Sequence, residues 1–462
     1  MTSPHPNTLD RLGAADSLAQ PPRHLRQGLD DGLIYPVRAR TLWSIASQRL
    51  RAVFSHASLV TGGPTDDGEP TRAEGIFRVA VVLAEFQGTT FGSSQAELHQ
   101  RYCSLFFAET ANSVRAYFRE TSKAKVDITG DVFGPYSMPH PESYYANGQS
   151  GTGSSVPNAA TLAEDAANAA RADGQSFASF DGTGRPDRLV DGFVVIQAGP
   201  GGEHTGDARH IASHKGVLNG RRALVVDGGI KIYAYAMVAK DSPLGVICHE
   251  LGHALFRLPD LYGPDGIHPG GVGNWCLMGT GNWNRSGGAR GARPAHLSAW
   301  CKSKLGWVQE TNIDFDGEVH LKEVKESGEV VRLWLGGQES KEYFLVENRS
   351  KQPGTFDDAL PGSGLLIWHI DENQRSNDDA AHPRVCLEQA DGQTHLQENG
   401  SADRGDSGDP FPGVNNNKKF AQGTTPSSRS YAGSPSGVSL EILIPNANVV
   451  LFRAAINDIA TA

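Results

Sequence analysis

The five residues from His249 to His253, which read His-Glu-Leu-Gly-His, have the types and spacing that most clearly support chemistry. On an α-helix, positions i and i+4 lie on one face, so His249 and His253 can present two imidazoles to one metal ion with Glu250 beside them. Two histidines and a third protein ligand leave one position of a zinc ion for water, whose pKa the ion lowers to about 7. Glu250 can take the proton of that water. The motif therefore predicts attack of a hydroxide on a carbonyl group.

The third metal ligand is expected shortly after this motif. Residues 251–309 contain no glutamate, which argues against a ligand from a glutamate on a later helix. Pro259 should end the motif helix near Arg257 or Leu258, because proline breaks the helical hydrogen-bond ladder and pushes the preceding residue out of the helical region. Asp260 then lies just past a turn. From there its carboxylate can complete a His, His, Asp set.

Many segments of the chain, in order, resemble those of one enzyme family. They are Val79–Leu83, Ser113–Phe118, Asp127–Gly130, Pro139–Tyr144, Ala198–Gly201, Ser213–Lys215, the turn Trp275–Met278, His296–Trp307, Glu342–Arg349, Gly364–Asp371, Gln389–Gly392 and Gly408–Gly413. With the histidine motif, they resemble the metzincin plan and, in detail, the immune inhibitor A family of bacterial zinc metallopeptidases. The resemblance covers roughly residues 76–440. It implies a zinc endopeptidase that acts on proteins or peptides.

One departure from the family pattern concerns the metal. The family usually places a glycine three residues after the second histidine and its third ligand six residues after it. Here Phe256 stands at the glycine position, and Asp260 falls seven residues after His253. A glycine is used where a turn needs a conformation that is costly for other residues, so the extra residue implies a different turn. Asp260 is the expected third ligand, with Asp265 and His268 as alternatives.

Several other residues around the motif have competing interpretations. Met278 is expected to pack beneath the metal as a core side chain, because a thioether is a poor zinc ligand beside imidazole and carboxylate. Tyr262 can stabilise the oxyanion of a tetrahedral intermediate, as tyrosines do in some metzincins, or serve in packing. His369 and Glu347 lie in apolar runs and are expected to be structural. Three more histidines are candidates for a second metal site, although their spacing favours ordinary packing: His204, His210 and His214.

Calcium is a candidate second cofactor. The segment Asp181–Asp191 occupies the place where relatives carry a calcium-binding loop, but Arg185 and Arg188 stand where ligands would be needed. The acidic loop from Asn377 to Asp409 is a better source of ligands. The sequence singles out no individual calcium ligand.

The net charge and the hydrophobicity of the chain argue against binding of nucleic acid and against a segment that spans a membrane. The net charge of −10, with no cluster of lysine and arginine, argues against nucleic acid. No run of eighteen apolar residues occurs, which argues against a membrane-spanning helix. The expected partners are protein or peptide substrates, and the chain is expected to act as a monomer.

The cellular location stays open at this point. The first forty residues show no basic segment followed by an apolar one, so no secretory signal is recognisable, whereas members of the family are typically exported. Five cysteines without C-x-x-C spacing leave at least one thiol free. Export by another route, a wrongly assigned start and action inside the cell all fit these observations.

The pattern of apolar residues predicts how the chain is organised. At 462 residues it exceeds what one hydrophobic core normally serves. Residues 1–75 are predicted to be a disordered and partly helical region and a candidate pro-segment, residues 76–308 the catalytic domain, and residues 309–462 a β-rich C-terminal unit. The predicted fold class is an α/β (α+β) metzincin-like domain with a twisted sheet and an active-site helix, followed by the mostly β unit. Its predicted strands are 78–86, 125–133 and 189–197, and its predicted helices are 95–121, 159–173, 242–257 and 294–304.

Two functions are compatible with these features. The first is a zinc-dependent endopeptidase in which Glu250 is the general base. The alternative is a catalytically inactive binding or structural protein that retains the metallopeptidase fold, which the altered spacing after His253 and the missing export signal support. The intact Glu250 and both motif histidines favour the enzyme.

Overall fold

The computed structural model describes residues 69–456, apart from residue 111, residues 264–267 and residue 447. The expectations for residues 1–68, including disorder, a helical segment and a pro-segment, lie outside the described residues. Asp265, one of the alternative metal ligands, lies outside them as well.

Strands and helices alternate in the chain before residue 309. The strands are β1 (Gly75–Glu85), β2 (Val126–Ser137), β3 (Gly192–Gln197), β4 (His214–Val217), β5 (Leu224–Val225), β6 (Lys231–Ile232), β7 (Ala234–Ala239), β8 (Arg285–Ser286) and β9 (Ala289–Arg290). The helices are α1 (Gln95–Phe107), α2 (Val114–Thr121), α3 (Glu142–Ala146), α4 (Ala159–Ala172), α5 (Gly202–Thr205), α6 (Leu244–Phe256) and α7 (Ala299–Lys304).

Five of these strands form the sheet that carries the site. Their order is β2-β1-β3-β7-β4, with the first four parallel and β4 antiparallel to β7 at the edge. Strand β3 is buried throughout, as expected for a parallel strand covered on both faces. One face packs against α4, and the other packs against α1, α2 and α6. The sheet therefore provides a rigid support for α6, which contains the histidine motif.

Helix α6 is apolar around its circumference. It begins after Pro243, a residue tolerated at helix starts, and every residue of the helix except His253 is buried. A helix that is hydrophobic on all sides belongs in a core rather than at a surface. The exception, His253, is one of the two motif histidines, so the helix is open to solvent where chemistry is expected.

Two predicted helices differ from those observed. The single helix predicted for 95–121 is wrong, because α1 ends at Phe107 and α2 starts at Val114. Ser113 causes this break: its hydroxyl donates to the Ala108 carbonyl at 2.5 Å and accepts from the Ala116 amide at 3.0 Å, which caps α2. The helix predicted from residue 294 begins only at Ala299, where Ser298 caps it. Strands β4 and β7 were not predicted.

The chain beyond residue 308 is mostly β structure, as predicted. Its strands are β10 (Gln309–Ile313), β11 (Gly317–Lys322), β12 (Glu329–Trp334), β13 (Glu342–Arg349), β14 (Gly364–Asp371), β15 (Val385–Leu387), β16 (Lys419–Phe420), β17 (Val438–Ile444) and β18 (Val449–Ile456), and its short helix is α8 (Val324–Ser327). They form two sheets in the orders β10-β12-β13-β14-β15 and β11-β18-β17-β16. The two sheets share a core and form a sandwich.

One hydrophobic cluster joins the two parts of the chain. Leu345 and Trp368, from the first C-terminal sheet, belong to the same cluster as Leu251 of α6 and Trp275 and Met278 of the turn behind it. The predicted fold class, an α/β domain followed by a β-rich unit, is confirmed. The division between residues 308 and 309 crosses this shared core and stays a prediction.

Candidate active site

Three side-chain atoms converge at the open side of α6. The Nε2 atoms of His249 and His253 are 3.1 Å apart, and the Oδ1 atom of Asp260 lies 3.0 Å from the first and 3.2 Å from the second. Ligand atoms held ~2.0–2.2 Å from a tetrahedral zinc ion are about 3.3 Å from one another. The triangle therefore fits the coordination sphere of one zinc ion.

The other ring nitrogens fix the protonation of both imidazoles. His249 Nδ1 donates to the carbonyl of Leu277 at 2.9 Å, and His253 Nδ1 donates to the carbonyl of Leu258 at 2.6 Å. A carbonyl oxygen can only accept, so each Nδ1 carries a proton, and a neutral ring then directs the Nε2 lone pair at the shared point. Two such lone pairs and a carboxylate repel one another unless a cation lies between them. His249, His253 and Asp260 could together hold a metal ion.

Asp260 is held in its ionised form. Burial alone would raise the pKa of Asp260, but its close contacts with His253 and His249 outweigh burial and hold this pKa well below its usual range. The phenol of Tyr262 donates to the Asp260 carboxylate, and its ring stacks on His249 with centroids 6.0 Å apart. Tyr262 thus contacts two of the three converging side chains. Its role toward an oxyanion stays a prediction.

The extra residue between His253 and Asp260 is accommodated at the end of the helix. Phe256 remains helical, and Arg257 takes the left-handed conformation with φ 57° and ψ 27°. Its amide donates to the carbonyl of His253 at 3.0 Å, which closes the helix. The left-handed residue is thus Arg257, which follows Phe256. A residue with a Cβ therefore adopts a conformation that normally favours glycine.

This strain leads to a prediction about stability. We expect Arg257→Gly to be more stable than Arg257→Ala by about 1 kcal/mol, because both changes remove the same side chain and only alanine retains the Cβ that disfavours the left-handed conformation. Urea unfolding of the two metal-free variants measures the difference. Equal stability, or greater stability of the alanine variant, would show that position 257 carries no such strain.

A tight turn forms the floor of the site. Met278 is fully buried, and its sulfur lies 2.8 Å from where a Cβ on Gly252 would be placed. The carbonyl of Leu277 accepts from His249, and the carbonyl of Met278 accepts from the amide of Leu261 at 2.9 Å. The turn thereby contacts the motif helix and the segment after Asp260. Met278 packs against the motif helix at Gly252, between the two histidines, and its support of a metal site stays a prediction.

Glu250 lies beside this triangle in a buried position. Burial raises the pKa of Glu250 to about 7, and the negative charges of Asp260 and Glu203 add to this while the charge of His249 opposes it. The carboxylate accepts a hydrogen bond from the backbone amide of Lys215 in edge strand β4. A carboxyl group with a pKa near neutrality is suited to accepting and releasing a proton.

His268, the alternative third ligand that the structure describes, has partners other than the triangle. The amide of Gly270 donates to His268 Nδ1 at 3.1 Å, so the proton is on Nε2, which donates to the carbonyl of Asp378 at 3.3 Å. Both ring nitrogens of His268 are therefore engaged by backbone groups, one in its own loop and one at Asp378. The three other histidines considered also have partners away from the triangle: His204 contacts Asp241, His210 contacts Glu142, and His214 contacts the carbonyl of Ala212.

The remaining charged residues of interest have structural partners. His369 lies between the carboxylates of Glu342 at 2.9 Å and Glu388 at 3.1 Å. Glu347 is fully buried and accepts from the indole of Trp368 at 2.9 Å. Both residues thus have the kind of environment that the sequence predicted for them.

The two stretches considered for calcium differ in structure. Asp181 accepts from the amides of Asp187 and Arg188, which uses its carboxylate inside the loop. Three carboxylates from the acidic region do come together, with one oxygen of each within 4.8 Å of the others: Asp391, Asp406 and Asp409. Burial raises the pKa of Asp409 to about 7, which weakens its tendency to be charged. Calcium binding stays a prediction.

The arrangement of these residues agrees with a comparison to known families. Residues 84–311 match the model of the immune inhibitor A peptidase M6 catalytic domain. Residues 84–311 are a catalytic domain of the immune inhibitor A peptidase family. The predicted family is thereby confirmed, and with it a peptidase of metal-dependent type that acts on proteins or peptides. No curated protein matches the chain.

Two further observations concern this immune inhibitor A peptidase. The matched segment contains all three converging side chains, Glu250 and the turn at Met278, and it ends within β10. Strands β11 to β18 therefore lie outside the match. Among the described residues, no helix combines the length and apolar character needed to span a bilayer.

Proposed function

We propose that this protein is a zinc-dependent endopeptidase in which His249, His253 and Asp260 hold the ion and Glu250 is the general base. The observation that carries the proposal is the convergence of the three ligand atoms, each within 3.2 Å of the other two, beside a buried carboxyl group on the same helix. Membership of a metallopeptidase family supports it. The donor set of two imidazoles and a carboxylate is one that zinc prefers.

The residues around the ion have distinct roles in this proposal. Zinc bound here would lower the pKa of a water molecule and polarise the carbonyl of the scissile peptide bond. Glu250 accepts the proton of the water on a carboxylate oxygen and then transfers it to the nitrogen of the leaving amine. The amide of Lys215 holds the Glu250 carboxylate in place, and the buried surroundings keep its pKa near the range needed for both transfers.

Cleavage inside a chain, rather than at its end, is supported by the edge strand. Among the described strands, β4 pairs only with β7, so backbone N–H and C=O groups along its other edge face away from the sheet. An extended peptide can add to such an edge through main-chain hydrogen bonds. The strand lies next to the site, since the amide of its Lys215 contacts Glu250. A substrate bound there can extend past the ion in both directions.

The proposal is tested with an unstructured protein as substrate. Metal-free protein is incubated with casein, with and without added zinc, and the fragments are identified by mass spectrometry. We expect internal fragments only when zinc is present. Release of single terminal residues would show that the protein is an exopeptidase and not an endopeptidase. Zinc binding without any cleavage would favour the catalytically inactive alternative.

Removal of residues 1–68 is predicted to raise the turnover rate. Residues 61–73 are rich in glycine, proline and aspartate, and a segment joined through such a linker competes with substrate at an effective concentration on the order of millimolar. A chain that begins at Glu69 keeps the ion pair of Glu69 with Arg384 and the bond from the Trp307 indole to the Ala73 carbonyl. Turnover of casein by the two chains is compared. A folded, shortened chain with unchanged turnover would contradict inhibition by the N-terminal region.

A further inference from the structure

One side chain from the C-terminal β unit forms hydrogen bonds with the segment after Asp260. Asn377 is fully buried, and the two N–H groups of its Nδ2 atom donate to the carbonyls of Gly270 at 2.5 Å and Val385 at 2.7 Å, with the carbonyl of Leu261 also within reach at 3.3 Å. Its Oδ1 atom accepts from the amide of Val385 at 3.1 Å. Every polar atom of this amide group thus has a backbone partner, and these partners come from three separate stretches of chain.

The positions of these partners matter for the metal. Leu261 directly follows Asp260, and Gly270 closes the same loop. The two ends of the loop approach so closely that a Cβ on Gly270 would lie 2.2 Å from the carbonyl oxygen of Leu261. One amide group therefore ties both ends of the loop to strand β15. The neighbouring carbonyl of Asp378 also accepts from the ring of His268 in this loop.

We propose that Asn377 is a positioning residue for the metal site. By holding the Gly270 carbonyl at one end of the loop and contacting the Leu261 carbonyl at the other, it positions the backbone next to Asp260 and so the direction in which the Asp260 carboxylate points. Residues that hold the ligands of a metal site in position commonly account for about 10- to 100-fold in metal affinity. The role rests on the proposed function in one respect, namely that Asp260 is a metal ligand.

Other contacts from the same unit reach the floor of the site. The indole of Trp275 donates to Asp409 at 2.8 Å, and the guanidinium of Arg349 donates to the Trp275 carbonyl at 3.3 Å. The amide of Asn274 donates to the carbonyl of Arg404 at 2.6 Å. Both loops that surround the ligands are therefore held by residues beyond position 311, where the family match ends. Asn377 contacts the loop of Asp260 through its side chain, and Asp378 contacts it through its carbonyl.

The test uses two substitutions of Asn377 in the full chain, each with a matched control. Asn377→Asp keeps the shape but has no N–H group to donate and places a charge against three carbonyl oxygens, whereas Asn377→Ser is a smaller change that keeps one donor. The controls are Asn417→Asp and Asn417→Ser. Asn417 likewise donates to two carbonyls, of Ala390 at 2.7 Å and Thr425 at 3.3 Å, but both lie within the C-terminal unit.

Two measurements are made on each variant. Zinc affinity, from competition with a chelator, should fall about 10- to 100-fold in the Asn377 variants and stay within about twofold of wild type in the Asn417 variants. Hydrogen exchange of the metal-free proteins should become faster in peptides that cover residues 258–271, again only for Asn377. This second readout depends neither on zinc nor on hydrolysis.

The outcomes separate this inference from the proposed function. A wild-type protein that binds no zinc would contradict the proposed function before any variant is compared. Unchanged exchange in 258–271, or faster exchange with unchanged zinc affinity, would overturn the positioning role of Asn377 alone. If an Asn377 variant does not fold, hydrogen exchange of the wild type decides. The amide of Leu387 donates to the carbonyl of Gly271, and the amide of Gly271 donates to the carbonyl of Leu396, so the two amides should exchange at similar rates if the end of the loop and strand β15 open together. Much faster exchange of the Gly271 amide would overturn the inference.

Discussion

Replacing Glu250 by glutamine should lower the rate of casein hydrolysis by about 100- to 10,000-fold. The amide keeps the shape of the side chain and can still accept from the backbone of Lys215, but it cannot take a proton. The histidines and Asp260 are unchanged, so zinc per chain should equal that of wild type. The measurements are kcat/KM with casein and zinc content by mass spectrometry.

A second buried carboxyl group provides the control for this substitution. Glu323 is as buried as Glu250 but lies in the C-terminal unit, where it caps α8. Glu323→Gln should hydrolyse casein at a rate close to that of wild type. Full activity of the Glu250→Gln variant would remove Glu250 from the mechanism. Loss of zinc from that variant would assign it a role in binding the metal.

Replacing Asp260 by alanine should leave only two protein ligands, too few to hold a catalytic zinc ion. The fall in zinc affinity should exceed about 10- to 100-fold, which is the loss typical of replacing a residue that hydrogen-bonds a metal ligand. Zinc per chain after dialysis should approach zero, and hydrolysis should be lost with it. The substitution also removes the negative charge of the Asp260 carboxylate, which its contacts with His249 and His253 stabilise in spite of burial.

The alternative ligands supply the controls for Asp260. Asp265→Ala and His268→Ala should keep zinc near the wild-type content, the second because His268 is engaged by Gly270 and Asp378. Loss of zinc from either one, with Asp260→Ala still loaded, would move the ligand onto the loop. Zinc in all three variants would place the ligand outside this segment, with three next candidates: His204, His210 and His214.

The features of the site that were predictable from the sequence depend on local geometry. The spacing of His249 and His253 on one helical face, and the end of that helix before Pro259, follow from the period of the helix and the chemistry of proline. The helix is present at Leu244–Phe256. The extra residue before Asp260 predicts a turn different from the family's, but not that Arg257 is the residue that takes the left-handed conformation.

Contacts made by the backbone, or across long stretches of sequence, were not predictable. The amide of Lys215 contacts Glu250, and any residue type could supply an amide. Asn377 lies 116 residues from Leu261, and in the sequence it stands in an acidic stretch that resembled a source of calcium ligands. The break at Ser113 depended on one hydroxyl that competes with the helix. Such features become visible only when the fold brings the chain together.

Titration of zinc into the metal-free protein, with casein hydrolysis followed at each step, tests the central claim most directly. The account predicts no internal cleavage without metal, a rise in rate with each addition, and a plateau at one zinc ion per chain. Cleavage that persists in the fully metal-free protein would contradict a zinc-dependent mechanism. One bound zinc per chain without any hydrolysis would contradict the endopeptidase.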